Sequence, residues 1–301
     1  MQQNGNVGQF SSSDSWVILS PIEQTIKRKI ESVGKPLKDW DIQINYGIKT
    51  GYNDAFIIST EKKDELLSNC KDTEERGRTA KLIRPILRGR DINRYQYNWA
   101  NLWLIATFPS LHYDINEYPT LKEFLLSFGI ERLEQTGKKH IINGEEIKAR
   151  KKTSNKWFEV QDSIGYWDEF SKPKIIYPNM TKFLPFVYDE EGFYTNQKCF
   201  ILTGNHVAYL TAFFNSSLFK YCFRDSFPEL LGGTRELSKI FFDKIPVRDV
   251  TDSVNNEFKS LILDIQADYS TAKQIAIDEK IFDLYNLSQD ERDIIGFIEI
   301  K

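Results

Sequence analysis

Cysteine and histidine are scarce in this chain of 301 residues, which has three of each. Cys70, Cys199 and Cys222 are odd in number and far apart, so they exclude complete internal disulfide pairing and read as buried or free thiols. His112, His140 and His206 form no His-Glu-x-x-His pattern and no cluster with cysteine, and no metal is expected. Long apolar runs are also missing: the stretch from Phe213 to Phe219 falls far short of the roughly 20 residues that a membrane-spanning helix needs. The N-terminus has no basic start followed by an apolar stretch, so it reads as a disordered lead-in rather than a secretion signal, and the cytoplasm is the expected location.

Other absences remove whole reaction classes. An amino-methyltransferase needs a glycine-rich turn for its cofactor and an Asn/Asp/Ser-Pro-Pro-aromatic loop for the flipped base. This chain has no Gly-x-Gly and no two adjacent prolines. It has no phosphate-binding GxxxxGK loop and no GxSxG nucleophile elbow. A Mg²⁺-dependent endonuclease stays open as an alternative, because Asp54 followed by Glu61, Lys62 and Lys63 loosely fits an acid with a downstream Glu-x-Lys. Glu257-Phe258-Lys259 matches as well, which shows how readily so charged a chain produces the pattern.

The charge is more informative than its sum. A net charge of −3 argues against a nucleic-acid partner, since phosphates call for local positive potential. Yet from Arg76 to Arg94 there are seven Lys/Arg against one acid, and from Lys138 to Lys156 seven against two. Residues 251–301 carry the opposite balance, five Lys/Arg against eleven Asp/Glu. A basic face on an otherwise acidic molecule suits a protein that binds double-stranded DNA on one side. Solvated surface runs are the plainer alternative.

Periodicity predicts an α+β fold: mixed sheet and hairpins in the centre, flanking helices and a helical C-terminal segment. Ser20, Pro21 and Glu23 make a strong helix start, with Ile22, Ile26, Ile30 and Val33 on one face and Gly34 and Pro36 as stops. Residues 41–58 predict a hairpin around the polar loop 49–54, and residues 183–202 a second one around the turn 189–192. Residues 102–108 and 174–177 read as further strands. Thr120 and Glu123 predict a capping box on a helix over 119–133. Helices are also predicted over 206–221, over 251–280 and from Ser288, whereas 138–157 reads as an exposed loop or a segment ordered by a partner. The expected division is a lead-in at 1–19, a recognition domain at 20–250 and a helical segment at 251–301 packed on it.

Basic and aromatic residues alternate where the charge is concentrated. Arg84, Arg88, Arg90 and Arg94 interleave with Pro85, Gly89, Tyr95 and Tyr97, and Lys151, Lys152 and Lys156 precede Trp157. Guanidinium groups can clamp phosphates or pair with guanine, and aromatic rings can pack on sugars or bases. An ion-paired turn at Arg90 and Asp91 is the structural alternative.

Tyr46-Gly47-Ile48-Lys49-Thr50-Gly51-Tyr52-Asn53-Asp54-Ala55-Phe56-Ile57-Ile58, followed by Ile83-Arg84-Pro85-Ile86-Leu87-Arg88-Gly89-Arg90-Asp91-Ile92, resembles the TaqI-like C-terminal specificity domain of adenine-specific type II methyltransferases and fused restriction-modification enzymes. The resemblance continues through Lys174 to Ile176, Phe214 to Phe219 and Phe242 to Val247, covering roughly residues 16–250 in motif order. It implies a target recognition domain that reads base sequence while a separate catalytic domain methylates an adenine. That methyltransferase domain, with its S-adenosylmethionine, is expected upstream in the same parent chain or as a separate subunit. No cofactor is expected in this chain, no membrane and no catalysis of its own.

Gly47 and Gly51 have a physical reading, close approach or a tight turn where a Cβ would collide. Lys49, Thr50, Tyr52 and Asn53 are expected on that loop at the DNA, together with Arg84, Arg88, Arg90, Arg94, Lys151, Lys152, Lys156, Trp157 and Arg235. The two motifs are assigned mainly to scaffold and phosphate contact, and the loops 138–157 and 226–236 to base reading. A third reading makes the acidic tail helices a docking element for another subunit.

Overall fold

The computed structural model describes residues 20–182 and 185–297, an α+β fold of helices and several small sheets. The lead-in expected over 1–19, and Phe183 at the start of the second expected hairpin, lie outside the described residues. The chain divides into two compact units: Ile42–Val207, and the flanking stretches Met1–Asp41 with Ala208–Lys301. The recognition domain expected over 20–250 therefore has residues in both. Both basic runs fall in the first unit, and the acidic run 251–301 falls in the second.

The unit Ile42–Val207 is built on two four-stranded sheets. In one, the order is Val187–Asp189, Lys174–Pro178, Cys199–Gly204 and Ile42–Tyr46, all antiparallel. Its register pairs Gly204 with Ile42, so the first and last strands of the unit lie side by side. The inner strands are nearly continuous apolar runs because both faces are covered; Ile175, Ile176, Tyr177, Ile201 and Leu202 are fully buried. In the other sheet Tyr194–Thr195 lies parallel to Ile83–Leu87, which pairs antiparallel with Leu102–Ile105, itself paired with Ile57–Ser59. Phe56, Ile86, Leu104, Leu121, Phe170, Ile176 and Ile201 share one hydrophobic core.

Neither expected hairpin forms. Ile42–Tyr46 and Ile57–Ser59 belong to different sheets, because Gly51 (φ +80°) and the helix Asn53–Phe56 redirect the chain between them. The turn at Asp189–Gly192 does form, with Gly192 at φ +82°, but its flanking strands pair with Lys174–Pro178 and Ile83–Leu87 instead of each other. The helix expected over 119–133 is two, Pro119–Leu126 and Ile130–Leu133, separated by Gly129 at φ +86°. Its expected capping box is replaced: the Thr120 N–H donates to the Glu75 carboxylate at 2.8 Å, across 45 residues of sequence. Residues 138–157 are not a loop throughout, since Lys139–Ile142 and Glu145–Lys148 form a hairpin.

In the flanking unit the helix Pro21–Val33 begins with the full Ser20/Glu23 capping box, and Gly34–Pro36 pairs antiparallel with Pro246–Arg248. Buried aromatics, among them Tyr209, Phe213, Phe214, Phe219, Phe227, Phe242 and Tyr285, fill its centre. The helix expected over 251–280 breaks at Asp268 (φ −150°) into Asp252–Ala267 and Thr271–Leu284, and Ser270 caps the second. Helix Gln289–Ile295 has the expected box at Ser288 and Glu291, and Glu291 also binds Lys29 at 2.6 Å. Buried Asp278 accepts from both the N–H and the hydroxyl of Ser217, at 2.8 and 2.7 Å, which satisfies the start of helix Ser217–Phe223. No helix among the described residues is long and apolar enough to cross a membrane.

Candidate nucleic-acid interface

The loop after Ile42–Tyr46 is locked in place by backbone contacts that only glycine permits. A Cβ on Gly47 would lie 2.0 Å from the Asn196 carbonyl oxygen. Its close approach lets Gly47 N–H reach Cys199 O at 2.9 Å, while Ile48 N–H reaches Thr195 O and Gln197 N–H returns to Ile48 O. At Gly51, φ is +80° and a Cβ would meet Gln161 Oε1 at 2.6 Å. Lys49 O accepts from the N–H groups of Gln161 and Asp162 at 3.0 and 3.3 Å, binding this loop to residues 157–162.

Arg150 holds the arrangement together. It is 4% exposed, and its guanidinium donates to four carbonyls from three segments: Leu133 at 2.8 Å, Thr50 at 2.9 Å, Glu159 at 2.7 Å and Trp157 at 2.6 Å. Its charge centre lies 5.0 Å from the Phe56 ring. Burial pulls its pKa down to about 10, against the opposing pull of the Glu159 carboxylate, and the group stays charged at neutral pH. Sequence reasoning missed this residue because an arginine in a basic run looks like its exposed neighbours. No spacing in the sequence gives it away: period-two alternation with Ile147 and Ala149 would put Arg150 on the outer face with exposed Lys148, yet both Ala149 and Arg150 are buried.

This brings Lys49, Thr50, Tyr52, Asn53, Lys151, Lys152, Lys156 and Trp157 into one neighbourhood. Lys151, Lys152 and Lys156 are exposed, and Trp157 is half-buried against Phe158, ring centroids 5.5 Å apart. Lys49 and Lys151 lie near enough to Asp162 to pull its carboxyl down, although burial dominates and raises it. Tyr52 packs on Phe128 and lies under the Arg132 guanidinium at 5.3 Å, a cation that sequence reasoning did not single out. Asn53 is exposed; its Oδ1 accepts from the Thr50 hydroxyl at 2.7 Å, and Thr50 itself, expected at the DNA, is 2% exposed.

The arginines of the second motif have different environments. Arg84 and Arg90 are exposed and make no ion pair among the described residues. Arg88, not Arg90, forms the ion-paired turn: its guanidinium grips Asp91 through Nε and Nη2, with the shortest contact 2.7 Å, and this raises its pKa further. Arg94 is half-buried, 5.3 Å from the ring of fully buried Tyr95. Arg235, expected at the DNA, is instead 7% exposed and donates to Phe227 O and Glu229, with Asp225 at 2.9 Å. That makes it a brace inside its own loop. Of the nuclease candidates, Asp54 and Glu61 are exposed, while Lys63 pairs with Asp64 at 3.2 Å and lies 4.0 Å over the Trp103 ring.

The family model of the TaqI-like C-terminal specificity domain matches residues 84–247, more than half of the chain. The chain belongs to that family. No curated protein matches the sequence. Among solved structures, this TaqI-like domain is similar in fold to the type IIG restriction endonuclease BpuSI, with a TM-score of 0.52 and 13% identity over 92% of this chain and 33% of that one. It is likewise similar to the type IIL restriction-modification enzyme MmeI, solved in complex with DNA, with a TM-score of 0.51 and 12% identity over 87% of this chain and 35% of that one. The TaqI-like domain thus spans about a third of the length of either enzyme.

Proposed function

We propose that this chain reads DNA sequence as the specificity part of a restriction-modification enzyme, and that an adenine-N6 methyltransferase domain outside it, with S-adenosylmethionine, performs the chemistry. The observation that carries the reading is the match to the TaqI-like specificity domain, and the fold shared with two restriction-modification enzymes supports it. The geometry is compatible: Arg84, Arg90, Lys152 and Lys156 are exposed cations without an ion pair among the described residues, free to meet phosphates. Arg88 and Arg150 act inside the unit that carries those cations and hold its surface, while Arg235 braces only its own loop in the other unit.

Electrostatic binding gives the test. Affinity for a duplex should fall steeply with salt, and replacing Lys151 and Lys152 by alanine should flatten the log–log slope by roughly 0.9 for each phosphate that is no longer neutralised. Affinity that ignores salt, or a slope unmoved by both substitutions, would remove these residues from the interface. Incubation with supercoiled plasmid and Mg²⁺ separates the nuclease alternative, for which nicking abolished in Asp54→Asn would be required.

A further inference from the structure

The hairpin at 139–148 has a shape and a surface that the rest of the unit does not explain. Lys139–Ile142 pairs antiparallel with Glu145–Lys148 over four positions, joined by Asn143 and Gly144. These two have φ +53° and +85°, the backbone of a tight two-residue turn whose twist matches the strands. The ladder continues below the named strands through Ala149 N–H to Lys138 O and Gly137 N–H to Arg150 O, at 2.9 and 2.8 Å, down to the buried Arg150. The ribbon therefore stands on the most firmly tied point of the candidate interface.

Its two faces differ. Residues paired across an antiparallel ladder share a face, so His140, Ile142 and Ile147 lie together and are half-buried. On the opposite face Lys139, Ile141, Glu146 and Lys148 are all exposed, and Ile141 is 81% exposed. One isoleucine among charges is too small an apolar area for a protein-docking patch. Lys139 pairs with Glu146 at 2.9 Å, which offsets the repulsion the carboxylate would feel from phosphates. Lys138, Lys151 and Lys152 are exposed and near the stem in sequence, where the walls of a groove would meet them.

We propose that this ribbon enters the major groove of duplex DNA and that Ile141, Asn143 and Glu146 determine sequence preference. The inference rests on the DNA-reading function proposed above and names its reading element. Four paired residues span about 13 Å, and a major groove about 12 Å wide and 8.5 Å deep admits a two-stranded ribbon. The side chains supply three kinds of contact: an apolar branch for the thymine 5-methyl, an amide for adenine N6 and N7, and a carboxylate that accepts from cytosine N4.

Selection of duplexes from a randomised library by the 301-residue chain, followed by the same selection with Ile141→Ala, Glu146→Gln and Asn143→Gly, the last keeping the positive-φ turn, tests this. Wild type should enrich one motif. Each variant should relax preference at one or two positions, on the order of tenfold, while affinity for a duplex lacking the motif stays unchanged in the Ile141 and Asn143 variants and rises in Glu146→Gln, which removes a negative charge and frees Lys139. A motif retained by all three variants would overturn the ribbon's role and leave the DNA-reading function standing. Equal weakening on every duplex would also overturn it, since that marks a structural or phosphate-binding part. Failure of the wild type to enrich any motif would sink both proposals.

Discussion

Replacing Arg150 by methionine keeps an unbranched apolar stem but deletes the guanidinium and all four of its hydrogen bonds. The carbonyls of Leu133, Thr50, Glu159 and Trp157 are left without a charged donor, each bond contributing about 1 kcal/mol net and more where the orphaned acceptor stays dry. Glu159, 3% exposed, is also deprived of the nearby cation that compensates its charge. Against this, the protein no longer desolvates a guanidinium, so the bonds do not simply add. A cost of about 3–5 kcal/mol follows by comparison with broken buried charge pairs, a factor of roughly 10² to 5 × 10³ in opening equilibrium. Hydrogen exchange read by mass spectrometry localises the effect. Peptides covering 47–53 and 133–162 should exchange faster by that factor, including the amides of Gln161 and Val160, which bond to Lys49 O and Thr107 O. Arg150→Lys should be nearly as damaging, because an ammonium cannot fork to four separated carbonyls. Exposed Lys151→Met serves as the control, with an effect within about 0.5 kcal/mol. Equal protection in Arg150→Met and Lys151→Met would refute the placement of Arg150 at the centre of this loop assembly.

Two glycines should respond in opposite directions. Gly47→Ala forces a Cβ against the Asn196 backbone and should abolish cooperative unfolding of the 42–207 unit in a denaturant titration, whereas Gly77→Ala, inside helix Thr73–Leu82 with nothing within 4 Å, should stabilise by about 0.5–1 kcal/mol. Matching behaviour of the two would contradict the close approach at Gly47. Glu75 gives a pH signature: burial pushes its carboxyl up, but the N–H groups of Thr120 and Lys71 outweigh it and hold the pKa below the ordinary value. A folded-state pKa below the unfolded one contributes stability that is present above the unfolded value, near 4.5, and fades as pH falls through the folded one. Glu75→Gln should therefore be less stable than wild type by about 1–2 kcal/mol at pH 7, with the gap closing below pH 4.5; a gap that persists in acid would mean the carboxylate charge is immaterial.

Features encoded within a few residues were legible in the sequence. The caps at Ser20 and Ser288 rest on contacts three residues apart, and both helices start where those residues stand. Steric demands were legible too, because a glycine at 47 or 51 has one physical advantage wherever it lies. Strand partners were not. The alternation of Ile42–Tyr46 records one covered face but not that Cys199–Gly204, over 150 residues away, covers its edge. Thr120 failed as a cap for the same reason, since the acceptor for its N–H came from Glu75. Charge was the least decodable property: Arg84, Arg88 and Arg150 look alike in sequence, and only the carboxylate beside Arg88 and the four carbonyls around Arg150 separate them from exposed Arg84.

The pairing of Ile42 with Gly204 makes residues 42–207 an inserted cassette whose entry and exit face each other across one rung of a ladder. Ends that close together can be joined by a short linker at little entropic cost. The intervening residues can then be exchanged as a block for those of a relative without rerouting the flanking stretches.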